Sequence, residues 1–221
     1  ARPQAVVPVA PLGVCPITDD FLPPNMKKRV DGKAPVPLRM MAAKALVPLA
    51  PSDMVGALFM LTFDADANVR DTAAKSAGAL PDRILSPALR DEAIKAPVLA
   101  WLMQLHWRND QYAEMLVLNA TTPDEAVASV AAQCSVRLAE IIGNNQLRLL
   151  RHDAILRQLA LNPSAVGALI DGVCDFAVRS GVVLPDVPQM QEARIRLYGP
   201  EVAAAPAADA GPTADAILQE F

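Results

Sequence analysis

The densest group of chemically versatile side chains in this sequence lies between Trp101 and Tyr112. Both tryptophans, Trp101 and Trp107, fall there with His106, Arg108, Asp110 and one of the two tyrosines, Tyr112. Large aromatics beside an arginine are the residue types that dominate binding energy at protein interfaces. The same residues also suit a structural role, with Trp101 filling the core and Trp107 plugging an irregular join between helical units. A second group, Arg148, Arg151, His152 and Arg157, is the most basic stretch. Arg148 and Arg151 share a helical face and Arg157 follows farther along, an arrangement able to meet a phosphate or an acidic partner. Asp153 interrupts that run, and a solvated helix face explains it equally well. A third group, Ala216, Ile217 and Phe221, forms a short apolar stripe that suits a docking peptide or the start of a further domain.

None of these groups is a catalytic constellation. The chain contains no GxGxxG, GxxxxGK[ST], HExxH or GxSxG pattern, so the usual phosphate-cradling, zinc-hydrolase and serine-hydrolase signals are lacking. We expect no catalytic residue and no cofactor. The two histidines, His106 and His152, have no second ligand at helical spacing, so no metal site is expected. Cys15, Cys134 and Cys174 show no CxxC spacing and are odd in number, which suits a reducing, cytoplasmic compartment. Cys134 and Cys174 sit in Ala/Val-rich text, where a free cysteine behaves as a small buried hydrophobe.

These residues need a scaffold, and composition limits what it can be. Apolar residues make up 52% of the 221, yet aromatics only 4%, so a core must come from Ala, Leu, Val, Ile and Met. Such residues pack closely as helix on helix. The net charge of −4 repels polyanions at long range, which removes the main driving force for general nucleic-acid binding. No apolar run reaches the roughly 18 residues of a membrane-spanning helix. The first residue is Ala1, and the opening lacks the basic-then-apolar order of a signal peptide.

Ten of the twenty prolines fall in residues 1–51. Residues 1–35 therefore read as a Pro-rich extended arm, whose Val6, Val7, Val9, Leu12, Val14, Ile17, Phe21 and Leu22 make it apolar enough to dock on the folded body. Residues 36–198 carry helical periods separated by Pro, Gly, Asn or Asp, with no sustained period-two alternation. Ser52 is the expected cap of a helix over 53–63, and Asp66 of one over 67–80. Ser86-Pro87 repeats the cap-then-proline signature, and Pro97 opens a helix to Trp107. Thr122-Pro123-Asp124-Glu125 has the form of a capping box. A short helix then ends at Gly143, the periodicity predicts single helices over 147–161 and 164–179 with Gly181 closing the second, and 188–198 is the last amphipathic helix. Residues 199–212 have the Ala/Pro composition of a linker, and 213–221 the short docking stripe.

Self-comparison shows a degenerate repeat. Met60-Leu61-Thr62-Phe63-Asp64 aligns with Met115-Leu116-Val117-Leu118-Asn119, and Leu159-Ala160-Leu161-Asn162 aligns with the end of that segment. In each, an apolar helix ends at Asp or Asn and another helix starts a few residues on. The offsets are 55 and 43 residues, so an irregular insertion is expected within the first. Asp64-Ala65-Asp66-Ala67-Asn68-Val69-Arg70, followed by Ala73, Ala77 and Leu80, resembles one unit of the HEAT repeat family. Asn119 and Asn162 depart from its first Asp, and their text resembles a variant helical repeat of bacterial proteins. The resemblance implies an all-α fold, a right-handed α-solenoid of HEAT-like helical hairpins. It also implies that Arg70 reaches a turn acid of a neighbouring unit.

A lone helical hairpin leaves its apolar face uncovered, so hairpins stack and present a long surface. The expected function is a non-enzymatic protein-binding scaffold or adaptor, with partner contacts drawn from Trp101, Trp107, Arg108, Tyr112, Arg148, Arg151, Arg157, Ile217 and Phe221. The alternatives are a structural subunit of a larger assembly, clipped by its terminal arms, and a nucleic-acid-binding HEAT-like protein.

Overall fold

The computed structural model describes residues 13–200; Ile217 and Phe221, the 199–212 linker beyond Pro200 and the first twelve residues of the arm lie outside that range. Among the described residues the chain is all-α, with thirteen helices and no strand. Its contacts divide it into two compact units, Ala1–Pro123 and Asp124–Phe221.

The first unit holds α1 (Pro24–Val30), α2 (Val36–Ala43), α3 (Pro51–Leu61), α4 (Ala67–Gly78), α5 (Asp82–Arg90), α6 (Ala96–His106) and α7 (Asp110–Leu118). Here α1, α3, α5 and α7 touch in succession and α2, α4 and α6 touch in succession, giving two layers. Small residues let the layers approach closely: Ala42, Ala43, Ala57, Ala73, Ala77 and Ala88 are all buried among Leu58, Leu85, Leu99 and Leu116. The second unit holds α8 (Asp124–Ala131), α9 (Val136–Asn144), α10 (Gln146–Arg151), α11 (Ala154–Ala160), α12 (Gly167–Arg179) and α13 (Pro188–Tyr198). There α11 packs on α8, α9, α10 and α12, and α13 packs on α12.

Five prolines start helices. Pro24, Pro37, Pro51, Pro97 and Pro188 each occupy the first or second helical position, where the missing amide has no intrahelical acceptor to lose. The expected arm therefore contains α1 and is followed at once by α2. Its described part docks from Ile17 onward: Ile17 and Leu22 are buried, Met26 is wholly buried, and the Phe21 ring lies over Gly56 where a Cβ would stand 2.5 Å from it, whereas Val14 is 95% exposed.

Five turns share one construction. The side chains of Asp31, Asp64, Asp91, Asn119 and Asn162 each accept a hydrogen bond from the backbone amide two residues on, at 2.8–3.0 Å. In four of them the backbone carbonyl of the same residue also accepts the amide three residues on. The next helix then begins at Val36, Ala96, Asp124 or Gly167, five residues after the turn Asp or Asn. The Asp64 turn is shorter because Asp66 caps α4 directly, accepting from Asn68 and Val69. This pattern of a side chain standing in for a backbone turn is what Asp and Asn do best.

Four of the five also reach back to the preceding helix pair. Arg39 of α2 pairs with the Asp64 carboxylate, both being buried. The Ser52 hydroxyl of α3 donates to Asp91. Asn119 Nδ2 donates to the carbonyls of Leu89 and Asp91 at 2.9 and 3.2 Å. Asn162 Nδ2 donates to those of Ala131 and Cys134 at 2.8 and 3.0 Å. Asn can do this because its amide donates while its oxygen accepts; Asp64 has no donor, so an arginine supplies one.

Several local expectations change. The interval from Asp64 to Asn119 contains no insertion but a full turn-bearing pair centred on Asp91; the additional helices, α9 and α10, lie between Asn119 and Asn162. Ser52 is inside the first turn of α3 and not its cap, which is Ala50. Pro87 sits within α5, where Ser86 bonds to Asp82. Arg70 does not reach a neighbouring acid: its Nη1 donates to the carbonyls of Asp64 and Ala65 in its own turn, at 2.7 and 3.0 Å. Gly143 lies inside α9, and an added Cβ would stand 2.9 Å from Leu169 Cδ1 and 3.1 Å from Val173 Cγ2, so close packing and not a helix end requires it. Gly181 does take the left-handed conformation, with φ 79°.

Asn119→Asp and Asn162→Asp keep the turn acceptor but remove the donor to two buried carbonyls and bury a charge. We expect each to cost about 2–4 kcal/mol in urea denaturation, against about 0.5 kcal/mol or less for Asp31→Asn at an exposed turn. Equal losses at buried and exposed turns would contradict the bridging role.

Candidate interaction surface

The Trp101–Tyr112 group spans the end of α6, the three-residue link Trp107–Asn109 and the start of α7, which Asn109 caps by accepting from Gln111 and Tyr112 amides. The fold sends its members in different directions. Trp101 leans on α3, its ring 5.5 Å from buried Phe59, which in turn stacks edge-on with Phe63 at 5.2 Å. His106 turns inward and is buried; its Nε2 lies 3.2 Å from the carbonyl of Ala77 near the end of α4. A ring nitrogen facing a carbonyl must carry the proton, so this contact selects the Nε2–H tautomer. Burial holds the His106 pKa below 6.5, partly opposed by the Ala77 bond. Tyr112 meets His106 edge to face at 5.7 Å, and desolvation, then the charge and hydrogen bond of Asp82, raise its pKa.

The Trp107–Arg108 pair is not tied into those inward contacts, although Trp101 and Tyr112 are half-buried as Trp107 is. Trp107 is half-buried at the C-terminal end of α6, and the exposed Arg108 guanidinium lies 4.3 Å from the centroid of its ring. Stacking of this kind holds an arginine in place while leaving its donors accessible.

The basic stretch is organised otherwise than its sequence suggests. The expected helix over 147–161 is two helices, α10 and α11, interrupted at His152 and Asp153. Arg148 is buried, 3% exposed, and its Nη1 pairs with Asp124 at the start of α8. Arg151 grips the same carboxylate with two bonds, 2.5 and 2.9 Å. Burial alone would raise the Asp124 pKa, but hydrogen bonds from Arg151 and Arg148, with their charges, hold it below the usual carboxylate range. Arg157 bonds Asp153 at 2.5 Å and Asp186 at 2.7 Å. Each of these three arginines therefore meets a carboxylate of its own chain.

Sequence reasoning did not find the small cleft of about 160 Å³ lined by Ile17, Phe21, Gly56, Ile94 and Val98, with Ser52 and Asp91 at its polar side. It forms only because the N-terminal segment folds over α3, a contact that no local spacing announces. The Ser52 hydroxyl, then the Ala93 amide, lower the Asp91 pKa. Cys134 and Cys174 are buried thiols, and desolvation first, then Asp171 and Asp175, push Cys174 up to about 11, which makes it a poor nucleophile at neutral pH. Among the described residues no cluster of His, Cys, Asp and Glu is placed to hold a metal ion, and no helix is long and apolar enough to cross a membrane.

No protein-family model, no curated protein and no solved structure matches this chain.

Because the folded His106 resists protonation and the unfolded one does not, acid favours unfolding. Stability contributed by this group is complete above about pH 6.5 and declines as pH falls toward its lowered folded pKa, with a slope of at most about 1.4 kcal/mol per pH unit. The groups facing it are Tyr112, itself tied to Asp82, and the Ala77 carbonyl. Urea midpoints at pH 7.5, 6.5 and 5.5 should fall in the wild type and fall less in His106→Gln; identical pH profiles would remove the assignment. Substituting Arg148 by Met should leave Asp124 paired with Arg151, whereas Asp124→Asn removes the carboxylate charge facing the buried Arg148 guanidinium and should cost about 3–5 kcal/mol by the same measurement.

Proposed function

We propose that this chain is a non-enzymatic protein-binding scaffold, built as a right-handed α-solenoid of HEAT-like helical hairpins and working in the cytoplasm. The observation that carries this reading is the series of five equivalent Asp/Asn turns, four of them bonded back to the preceding helix pair. A chain that repeats one joint along its length is assembled by adding neighbours, and such assemblies serve by surface. That step from architecture to recognition is an analogy at the level of fold.

Within that surface the Trp107–Arg108 pair is the best anchor. It combines a large aromatic with a pre-oriented cation, and both are accessible in a link between helices. Trp101 and Tyr112 are engaged elsewhere, on Phe59 and His106. The three free thiols Cys15, Cys134 and Cys174 suit a reducing compartment. A nucleic-acid role would call on Arg148, Arg151 and Arg157, and the carboxylates that already hold them weigh against it. The terminal-arm reading of a larger assembly rests on Ile217 and Phe221 and is tested by deleting 213–221.

Affinity capture from source lysate with the intact chain should recover a specific protein partner. The double substitution Trp107→Ala and Arg108→Ala should reduce that recovery at least about tenfold, roughly 1.4 kcal/mol or more, with unchanged thermal stability. Trp101→Ala should instead lower stability by about 2–4 kcal/mol through loss of its packing on Phe59. Absence of any specific partner, or retention on duplex DNA that falls steeply with salt, would replace the scaffold reading.

A further inference from the structure

The charge of the chain is unevenly distributed. Residues 24–46 hold six of the twenty Lys and Arg residues and only one of the twenty-four Asp and Glu residues. Arg39 is turned inward to Asp64, leaving Lys27, Lys28, Arg29, Lys33 and Lys44 against the single acid Asp31. Exposed apolar side chains gather in the same stretch: Val36 is 39%, Leu38 38%, Met41 44% and Leu46 66% exposed. Only Val14 and Leu118 are comparably exposed large hydrophobics among the described residues of the first unit.

The geometry joins the two features. One side of α2 is committed to the fold, with Arg39, Ala42 and Ala43 buried and with α1, α3 and α4 packed against the helix. Leu38 and Met41, three positions apart and so neighbours on the helix surface, keep 38% and 44% of their surface exposed on its outer side, while Val36, 39% exposed, lies at its first position. Lys33 precedes the helix and Lys44 follows it, both exposed, and Arg29 of α1 reaches Met41, its Nη1 4.0 Å from the sulfur. Ala45 adopts a left-handed φ of 55°, and the Leu46 amide closes the helix on the carbonyl of Met41, which leaves the Leu46 side chain outside. Two acids stand by part of this cluster: Asp31, whose carboxylate is engaged by the Lys33 amide, and Asp19, which lines one surface pocket with Lys27, Lys28 and Asp31; exposed Asp71 lies on the adjoining α4.

We infer that this face of α2 docks on an anionic lipid surface. Cations around a narrow apolar stripe match the boundary between phosphate headgroups and acyl chains, where each kind of side chain finds its own medium. A nucleic-acid backbone would satisfy the lysines but leave Leu38, Met41 and Leu46 with nothing to bury them. The net charge of −4 does not oppose such docking at close range, because charges more than about 8 Å from the surface are screened at physiological salt. The stripe is short, so neither the apolar nor the ionic contribution suffices alone. This proposal does not depend on the scaffold reading, which uses α6 and α7.

The test uses the full chain and vesicles of phosphatidylcholine with and without 30 mol% phosphatidylserine. Co-sedimentation is expected with the anionic vesicles at about 50 mM NaCl, with at least tenfold release at about 0.5 M NaCl and little binding to pure phosphatidylcholine. Lys33→Glu with Lys44→Glu, and separately Leu38→Ser with Met41→Ser, should each weaken binding at least tenfold while circular dichroism and melting are unchanged. Hydrogen exchange on the unaltered chain should show vesicle-induced protection confined to about residues 33–46, which does not rely on any variant folding. The proposal is overturned by no sedimentation at low salt, by protection elsewhere, by serine variants that bind as the wild type does, or by binding to duplex DNA or an acidic peptide but not to vesicles. Loss of vesicle binding with partner capture intact separates this proposal from the scaffold reading.

Discussion

One short-range hydrogen bond underlies the described architecture: a carboxylate or carboxamide oxygen accepting the backbone amide two residues further on. Between consecutive helices the chain must reverse while leaving several backbone groups without helical partners. Asp31, Asp64, Asp91, Asn119 and Asn162 solve that locally, each with one side chain. The turn residue is therefore placed at the same point of each joint, and its remaining hydrogen-bonding capacity faces the preceding pair. Asn119 and Asn162 use that capacity to donate to carbonyls about thirty residues upstream, while Asp64 and Asp91 use theirs to accept from Arg39 and Ser52. Alanine-rich helices have few large side chains to key one against another, so these polar bonds contribute much of the register between neighbouring pairs.

Arginine serves the same end. Arg39 is buried on Asp64, and Arg148 is buried on Asp124, where the N-terminal end of α8 also favours a negative charge. A buried pair of this kind adds little net stability, since both ions lose water, but breaking it is costly, so it excludes alternative arrangements. The consequence for function is a redistribution of charge. Arginines that look available for a partner at 148, 151 and 157 are engaged within the fold, while lysines at 33 and 44, which look unremarkable, remain outside beside apolar side chains.

The aromatic residues divide in a similar way. Trp101 and Phe59 share a contact across two layers, His106 donates a hydrogen bond to a carbonyl near a helix end, and Tyr112 meets its ring edge to face. The link residues Trp107 and Arg108 stack on each other instead, because a short link between two helices cannot turn all its side chains inward. A site for recognition and a piece of core thus come from one contiguous stretch of chain.

What the residues alone determined are the features whose physics is local. Helical periodicity, the Asp66 cap, the Gly181 helix end, the helix over 188–198 and the turn roles of Asp64, Asn119 and Asn162 all rest on atoms a few positions apart, and all were legible. Asp31 and Asp91 obey the same rule but were hidden, because the text before them lacks the apolar run that marks the other turns. Proline was ambiguous for a related reason: the same ring that forbids a helix interior favours a helix start, as at Pro24 and Pro51, and only packing of Met26 and Met54 decided between them. The candidate residues were found by type, yet which of them point outward was not, since direction depends on partners far along the chain. Arg39, not Arg70, meets Asp64; Asp124 gathers Arg148 and Arg151; Phe59 receives Trp101. Tertiary structure decided these because a long side chain reaches several acids or rings, and only the placement of helices 24 or more residues away selects one.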